Sequence, residues 1–199
     1  MNIRILLLAG VFAIAGCSTT AVPLGYQPAP GVSLQQGQAI VQVGKFVDAR
    51  KVDPYHLGAI RGGLGNALKT LVAQAPVADV FRDGFSQALA ARGMLRNGSD
   101  GPYVLAATVL KFDCNQFVRR EAHAEILVTL TETGSGRTVM TDTFRTDLVR
   151  NPNDLFDAGV FASTEDLRLL AMEALHDVID AALDSPKLKL ALADGTKPS

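Results

Sequence analysis

The sequence predicts an α+β fold. The expected form is a two-layer sandwich in which a mixed or antiparallel sheet of about four to five strands carries two amphipathic helices on one face. Three observations lead there. Segments 76–92 and 164–184 repeat apolar residues at helical spacing. Segments 122–132 and 137–149 alternate apolar with polar residues around the hairpin loop Gly134-Ser135-Gly136. The elements follow in the order strand, helix, three strands, helix, with room for a last strand.

The chain opens with Met1-Asn2-Ile3-Arg4, an apolar run from Ile5 to Ala15, and then Gly16-Cys17-Ser18. A positive start, an apolar core of about 7–15 residues and small residues before a cut make a secretory signal. The run is too short for a membrane-spanning helix, which needs about 20 residues. Ile14-Ala15-Gly16-Cys17 resembles the lipobox of bacterial lipoproteins. That resemblance implies cleavage after Gly16, a diacylglycerol thioether on Cys17 and a further acyl chain, such as palmitate, on its freed amine. Ser18 stands where an aspartate would favour inner-membrane retention. The implied destination is the outer membrane of a Gram-negative bacterium, with the protein lipid-anchored and facing the periplasm. A plain secreted protein with an ordinary Cys17 thiol is the alternative. The expected organisation is a signal peptide over 1–16, lipidated Cys17 and a flexible linker over 17–37, a single periplasmic domain over 38–192 and a tail over 193–199.

Residues 18–37 contain Pro23, Pro28 and Pro30 and little periodicity, a composition of semi-extended linkers. Docking of Tyr26 and the leucines on the domain is the other option. Ala39 to Val47 is rich in β-branched residues and apolar on both faces, which fits a buried central strand. Residues 48–73 read as a long polar connection bearing Gly58, Gly62, Gly63 and Gly65, the best candidate for a partner-binding edge. The glycine cluster lacks a Gly-Lys-Ser/Thr ending and a Gly-x-Gly-x-x-Gly spacing, so it reads as a turn rather than a phosphate loop.

Pro76 to Arg92 forms a helix, with proline in the first turn and Gly93 just past the end. Val77, Val80, Phe81, Phe85, Ala88 and Leu89 share one face, and Gly84 allows close packing. Tyr103 to Phe112 is apolar on both faces, hence central. Ala122 to Glu132 and Arg137 to Val149 are each apolar on one face, implying a sheet covered on one side only. Asn151-Pro152-Asn153 ends the hairpin. Ser163 with Asp166 makes a capping-box-like start for a helix over 164–184, whose stripe includes Leu167, Leu170, Leu175, Val178 and Ile179. Ser185-Pro186 stops it, and Lys187 to Leu192 alternates as a short edge strand would.

Composition narrows function by exclusion. A formal charge of −1 over 199 residues lacks the basic excess that nucleic acid demands. With Cys17 lipidated, Cys114 is the other cysteine, which leaves neither an internal disulfide nor a paired-cysteine zinc site. His176 flanks the stripe of the last helix. His123 lies on a polar sheet face beside Glu125 and near Arg119 and Arg120, and His56 with Asp48 and Asp53 shows no ligand spacing. Arg119-Arg120-Glu121 reads as a solvated strand connection, with contact to a phosphate or a peptide carboxylate as the functional option. No nucleophile elbow or His-Glu-x-x-His helix is present. The expectation is therefore no enzyme, no catalytic or metal residue, no cofactor and no small-molecule substrate. Cys17 is the one assigned site, for lipidation.

Val41-x-Val43 leading to Val47-Asp48-Ala49-Arg50, then a glycine-bearing loop, a helix and Leu89-x-x-Arg92-Gly93, resembles the YajG-type family of small Gram-negative lipoproteins. The likeness runs on through Val104–Phe112 and Ala122–Leu130. That family carries no established activity to transfer. The element order is also similar to the periplasmic modules of peptidoglycan-synthase activator lipoproteins and, more loosely, to transport auxiliary lipoproteins. These likenesses imply a non-catalytic binding or assembly module of the cell envelope, held at the outer membrane and meeting an envelope protein partner. The alternative is an auxiliary lipoprotein of a lipid or ABC-type transport system, which would need an apolar cavity between helices 76–92 and 164–184.

Overall fold

The computed structural model describes residues 18–28, 38–151 and 162–194. Cys17, the signal segment and Pro152-Asn153 lie outside the described residues. Among the described residues, seven strands and three helices follow in the order β1 (Ser18–Val22), β2 (Val41–Asp48), β3 (His56–Arg61), β4 (Ala67–Ala73), α1 (Val77–Ala91), β5 (Tyr103–Gln116), β6 (Arg120–Glu132), β7 (Thr138–Arg150), α2 (Thr164–Leu183) and α3 (Pro186–Asp194). The strands form one mixed sheet in the order β1-β4-β3-β5-β6-β7, with β2 also paired to β5. The expected sandwich with four to five strands is corrected by this finding: the sheet has seven.

The additional strands come from two places. The stretch 48–73, read as a connection, contains the antiparallel hairpin β3–β4, whose Gly62–Asn66 turn is closed by backbone bonds between Gly62 and Asn66 and from Gly65 to Gly62. The stretch 18–22, read as linker, forms β1 and pairs in parallel with β4, Ser18 beside Lys69 and Val22 beside Ala73. Neither β1 nor β4 advertises this pairing locally, because a parallel partner is remote in sequence.

β5 is the central spine. Along one edge it pairs antiparallel with β6 over its length, Tyr103 beside Glu132 and Gln116 beside Arg120. Along the other edge it takes β2 in parallel over Tyr103–Val109 and β3 in parallel over Cys114–Gln116. β2 is thus a half-length strand with β5 as its one neighbour in the sheet, and Lys45 and Val47 are exposed. The buried central position expected for 39–47 belongs to β5 instead. Cys114 accepts this crowding because Gly58 lies beside it: a Cβ on Gly58 would sit 1.7 Å from the Cys114 carbonyl oxygen, at a φ of +156° that side chains rarely adopt.

One sheet face is covered. Tyr103, Leu105, Ala107, Val109, Phe112 and Cys114 of β5 and Ala122, Ala124, Ile126, Val128 and Leu130 of β6 are buried in alternation, against α1 and α2. The intervening Glu121, His123, Glu125, Leu127, Thr129 and Thr131 are only partly covered. On β7, Met140 is buried and Phe144 and Leu148 pack on the core, as the alternation predicts.

α1 ends in a Schellman motif: Gly93 has φ +66°, Met94 N–H donates to the Leu89 carbonyl and Gly93 N–H to that of Ala90. α2 begins at Ser163, whose hydroxyl accepts from the Asp166 amide at 3.2 Å. Segment 187–192, expected as an edge strand, lies in α3. Leu188 and Leu192, four residues apart, are buried while Leu190 is 65% exposed, so helical spacing decides which leucines reach the core.

Candidate functional site

Two clusters on the covered side are structural in chemistry. Arg92, at the end of α1, donates from Nη2 to Asp180 Oδ1 (2.9 Å) and Asp184 Oδ2 (2.7 Å), both presented by α2 and its C-cap. Nη1 donates to the Tyr26 hydroxyl (3.3 Å), and Tyr26 donates to Asp180 Oδ1 (2.6 Å). Tyr26 is buried, so the docked alternative for this residue is what the fold uses. Burial and the Asp180 bond raise the Tyr26 phenol above its ordinary range. Arg50 makes a second knot. Its guanidinium holds Asp48 through both carboxylate oxygens and donates to the carbonyls of Pro54, His56 and Phe112. It thereby pins the β2–β3 connection onto β5.

The residues singled out from sequence separate accordingly. Asp48 is committed to Arg50, Asp53 caps the Tyr55 amide (2.8 Å), and the His56 carbonyl serves Arg50, so these three do not converge on a cation. His176 Nε2 lies 2.9 Å from the Gly25 carbonyl and 3.1 Å from the Gln27 amide, with its ring edge-on to Tyr26. It fastens residues 25–27 to α2. His123 Nδ1 lies 2.5 Å from Asp147 Oδ1 on the uncovered sheet face, where Arg145 Nε also reaches Asp147 at 2.5 Å. Arg145 first, then His123, hold the Asp147 carboxyl below its usual range. Burial, with the Asp113 charge adding to it, pushes the Cys114 thiol up to about 12, the opposite of an activated nucleophile. Among the described residues no group of three metal-ligating side chains converges, and no helix is long and apolar enough to cross a membrane.

Arg119, Arg120 and Glu121 do meet an organised surface. The register Ile60–Gln116 sets the β3–β4 turn beside the β5–β6 turn at one end of the sheet. A groove of about 330 Å³ lies there, lined by Arg61, Asn115, Phe117, Val118, Arg119 and Glu121. Arg119 pairs with Glu121 at 3.0 Å, while Arg61 donates to the Gly65 carbonyl at 3.1 Å. Arg120, buried on the helix side, pairs with Asp166 at the start of α2, and Arg150 with Glu173. They line a second cavity of about 250 Å³. Sequence reasoning picked out the arginines but missed Arg61, Phe117 and Val118. The signal available was a pair of large apolar residues in a turn, where solvent contact offers them nothing.

No protein-family model matches the chain, and no curated protein matches it. Solved structures do. A Xanthomonas campestris protein of the DUF330 family is similar at 19% identity and TM-score 0.59, covering 91% of this chain and 100% of that one. An uncharacterised protein is similar at 14% identity and TM-score 0.50, over 83% of this chain and 96% of that one. A minor lipoprotein from Acinetobacter baumannii aligns at 16% identity over 78% of this chain and 93% of that one, but its TM-score of 0.40 carries no argument. At these identities the likeness is one of fold: this chain shares the architecture of the Xanthomonas protein over nearly its whole length.

Proposed function

We propose that the chain is an outer-membrane lipoprotein, anchored through Cys17 and facing the periplasm, that serves as a non-catalytic binding or assembly module of the cell envelope. The observation that carries this reading is a junction. The lipobox-like Ile14-Ala15-Gly16-Cys17 abuts Ser18, the first residue of a folded domain whose sheet leaves one face uncovered by helices. The groups on that face bond one another, as Asp147 does with His123 and Arg145. The transport alternative asks for an apolar cavity between α1 and α2. At Gly84 of α1 that seam is closed, since a Cβ there would stand 2.8 Å from Ile179 Cδ1 of α2.

The test is made on the full chain produced in a Gram-negative host. Mass spectrometry is expected to find cleavage after Gly16 and acyl chains on Cys17, and Cys17→Ser is expected to leave an uncleaved, non-acylated precursor. Normal processing of that variant refutes the anchor. Photo-crosslinking from Thr129 and Thr143, partly covered and exposed respectively on the uncovered side, is expected to capture an envelope protein. Adducts formed equally from the helix surface at Lys187 refute the assignment of that face.

A further inference from the structure

We infer that the end of the sheet carrying the β3–β4 and β5–β6 turns is a membrane-contact surface, seated on the phospholipid headgroups of the leaflet that holds the anchor. The inference rests on the lipidation of Cys17 proposed above and adds the orientation of the domain.

Chain geometry supplies the first argument. Consecutive Cα atoms are about 3.8 Å apart, so Cys17 lies within one residue of Ser18, and Ser18 is hydrogen-bonded into the sheet beside Lys69. No spacer stands between an acylated Cys17 and the folded domain. The strand directions then fix which end faces the lipid. β1 and β4 are parallel, β3 is antiparallel to β4, and β5 is parallel to β3. The start of β1 therefore shares an end with the Gly62–Asn66 turn and with the Phe117–Arg119 turn.

That end has the chemistry of an interfacial anchor. Leu64, at the tip of the first turn, is 97% exposed, and Phe117 and Val118, in the second, are 49% and 68% exposed. Three large apolar side chains at loop tips gain nothing from water. They gain by leaving it for the acyl boundary. Arg61 and Arg119 flank them across the 330 Å³ groove. Arg61 has no carboxylate partner among the described residues, and its guanidinium fork matches a lipid phosphate. Arg120 and Arg150 are matched by Asp166 and Glu173 on the helix side, outside this groove. The β6–β7 turn at the opposite end, Thr133–Arg137, carries only polar residues and glycine.

The chain contains no tryptophan, so a single introduced one reports on its own surroundings. The lipidated full chain, with Leu64→Trp, Phe117→Trp or Ser135→Trp, is reconstituted in vesicles of phosphatidylethanolamine and phosphatidylglycerol, with and without brominated acyl chains. The expected result is a blue shift and bromine quenching at positions 64 and 117, with neither at 135. Leu64→Trp and Phe117→Trp that stay unquenched on protein shown by mass spectrometry to be acylated overturn this inference and leave the anchor standing. A blue shift without quenching assigns the tips to a protein contact and also overturns it. An unacylated Cys17 overturns both proposals. Adding Arg61→Ala to Leu64→Trp is expected to weaken the quenching, most in vesicles rich in phosphatidylglycerol.

Discussion

Arg92 of α1 and Asp180 of α2 meet at 2.9 Å, and Tyr26 closes the pair by hydrogen-bonding to both. Through this triangle the N-terminal segment is fastened to the two helices that cover the sheet. Desolvation works against the Arg92 charge, and the bonds from Asp184, Tyr26 and Asp180 more than reverse it, so its pKa is raised.

Removing one member of a buried ion pair costs about 3–5 kcal/mol, because the partner stays desolvated. Asp180 and Asp184 are partly exposed and recover water, so Arg92→Ala is expected to cost about 2 kcal/mol. Urea unfolding measures it. Tyr26→Phe, which keeps the packing and leaves the ion pair, is expected to cost about 1 kcal/mol.

Acid stability follows from the carboxylates. The hydrogen bond and charge of Arg92 hold Asp184 below its ordinary value of 3.8. Burial pushes Asp48 up, and the bonds and charge of Arg50 more than reverse it. A depressed folded pKa gives stability that is present above the unfolded value and lost as pH falls through the folded one. Asp177, raised mainly by burial, works in the opposite sense. Thermal midpoints are expected to hold from neutrality to about pH 4 and to fall below it, and less steeply in Arg92→Ala, which has already lost the Asp184 contribution.

Two glycines separate conformational need from spatial convenience. Gly58→Ala drives a Cβ into the Cys114 carbonyl oxygen and breaks the β3–β5 junction, a loss expected at about 4 kcal/mol or more. Gly84→Ala meets the end of the Ile179 side chain at 2.8 Å and Tyr26 Cβ at 3.4 Å, no backbone, and its helix gains about 1 kcal/mol of propensity, so its net effect is expected within about 1 kcal/mol. Circular dichroism melts of the two variants compare them directly.

Leu175 sits fully buried at the centre of the α2 stripe. Leu175→Ala is expected to cost about 2–5 kcal/mol by lost transfer energy and the cavity it leaves. Cys114, with its raised pKa and no exposure, is expected to resist alkylation in the folded protein and to react only under denaturant.

α1, α2 and the β6–β7 hairpin were legible because their stabilising contacts repeat within the local chain: Val77 to Leu89 at helical spacing, Ala122 to Leu130 at alternate positions. β3 and β4 were obscured by the glycine that one of them needs. Gly58 interrupts the apolar pattern of Leu57 and Ile60 because its partner backbone comes too close for a side chain. β1 had no local signal, since Ser18–Val22 is polar at its start and its partner is remote. In Lys187–Leu192 every second residue is a leucine, a pattern too short to separate strand from helix, and the contact of Leu188 and Leu192 with the core decided it. The arginine-lined groove was readable as charge in Arg119 but not as a place, because the β3–β4 turn that completes it was read as loop.

The pairing of Ser18 with Lys69 also sets an order of events. In the sheet β1 pairs with β4, which lies about fifty positions downstream, and the chain grows at about 5–20 residues per second. For several seconds the first strand exists with nothing to zip against. Once β4 arrives, the strand locks. The same five residues are thus first an open end and then a seam of the sheet.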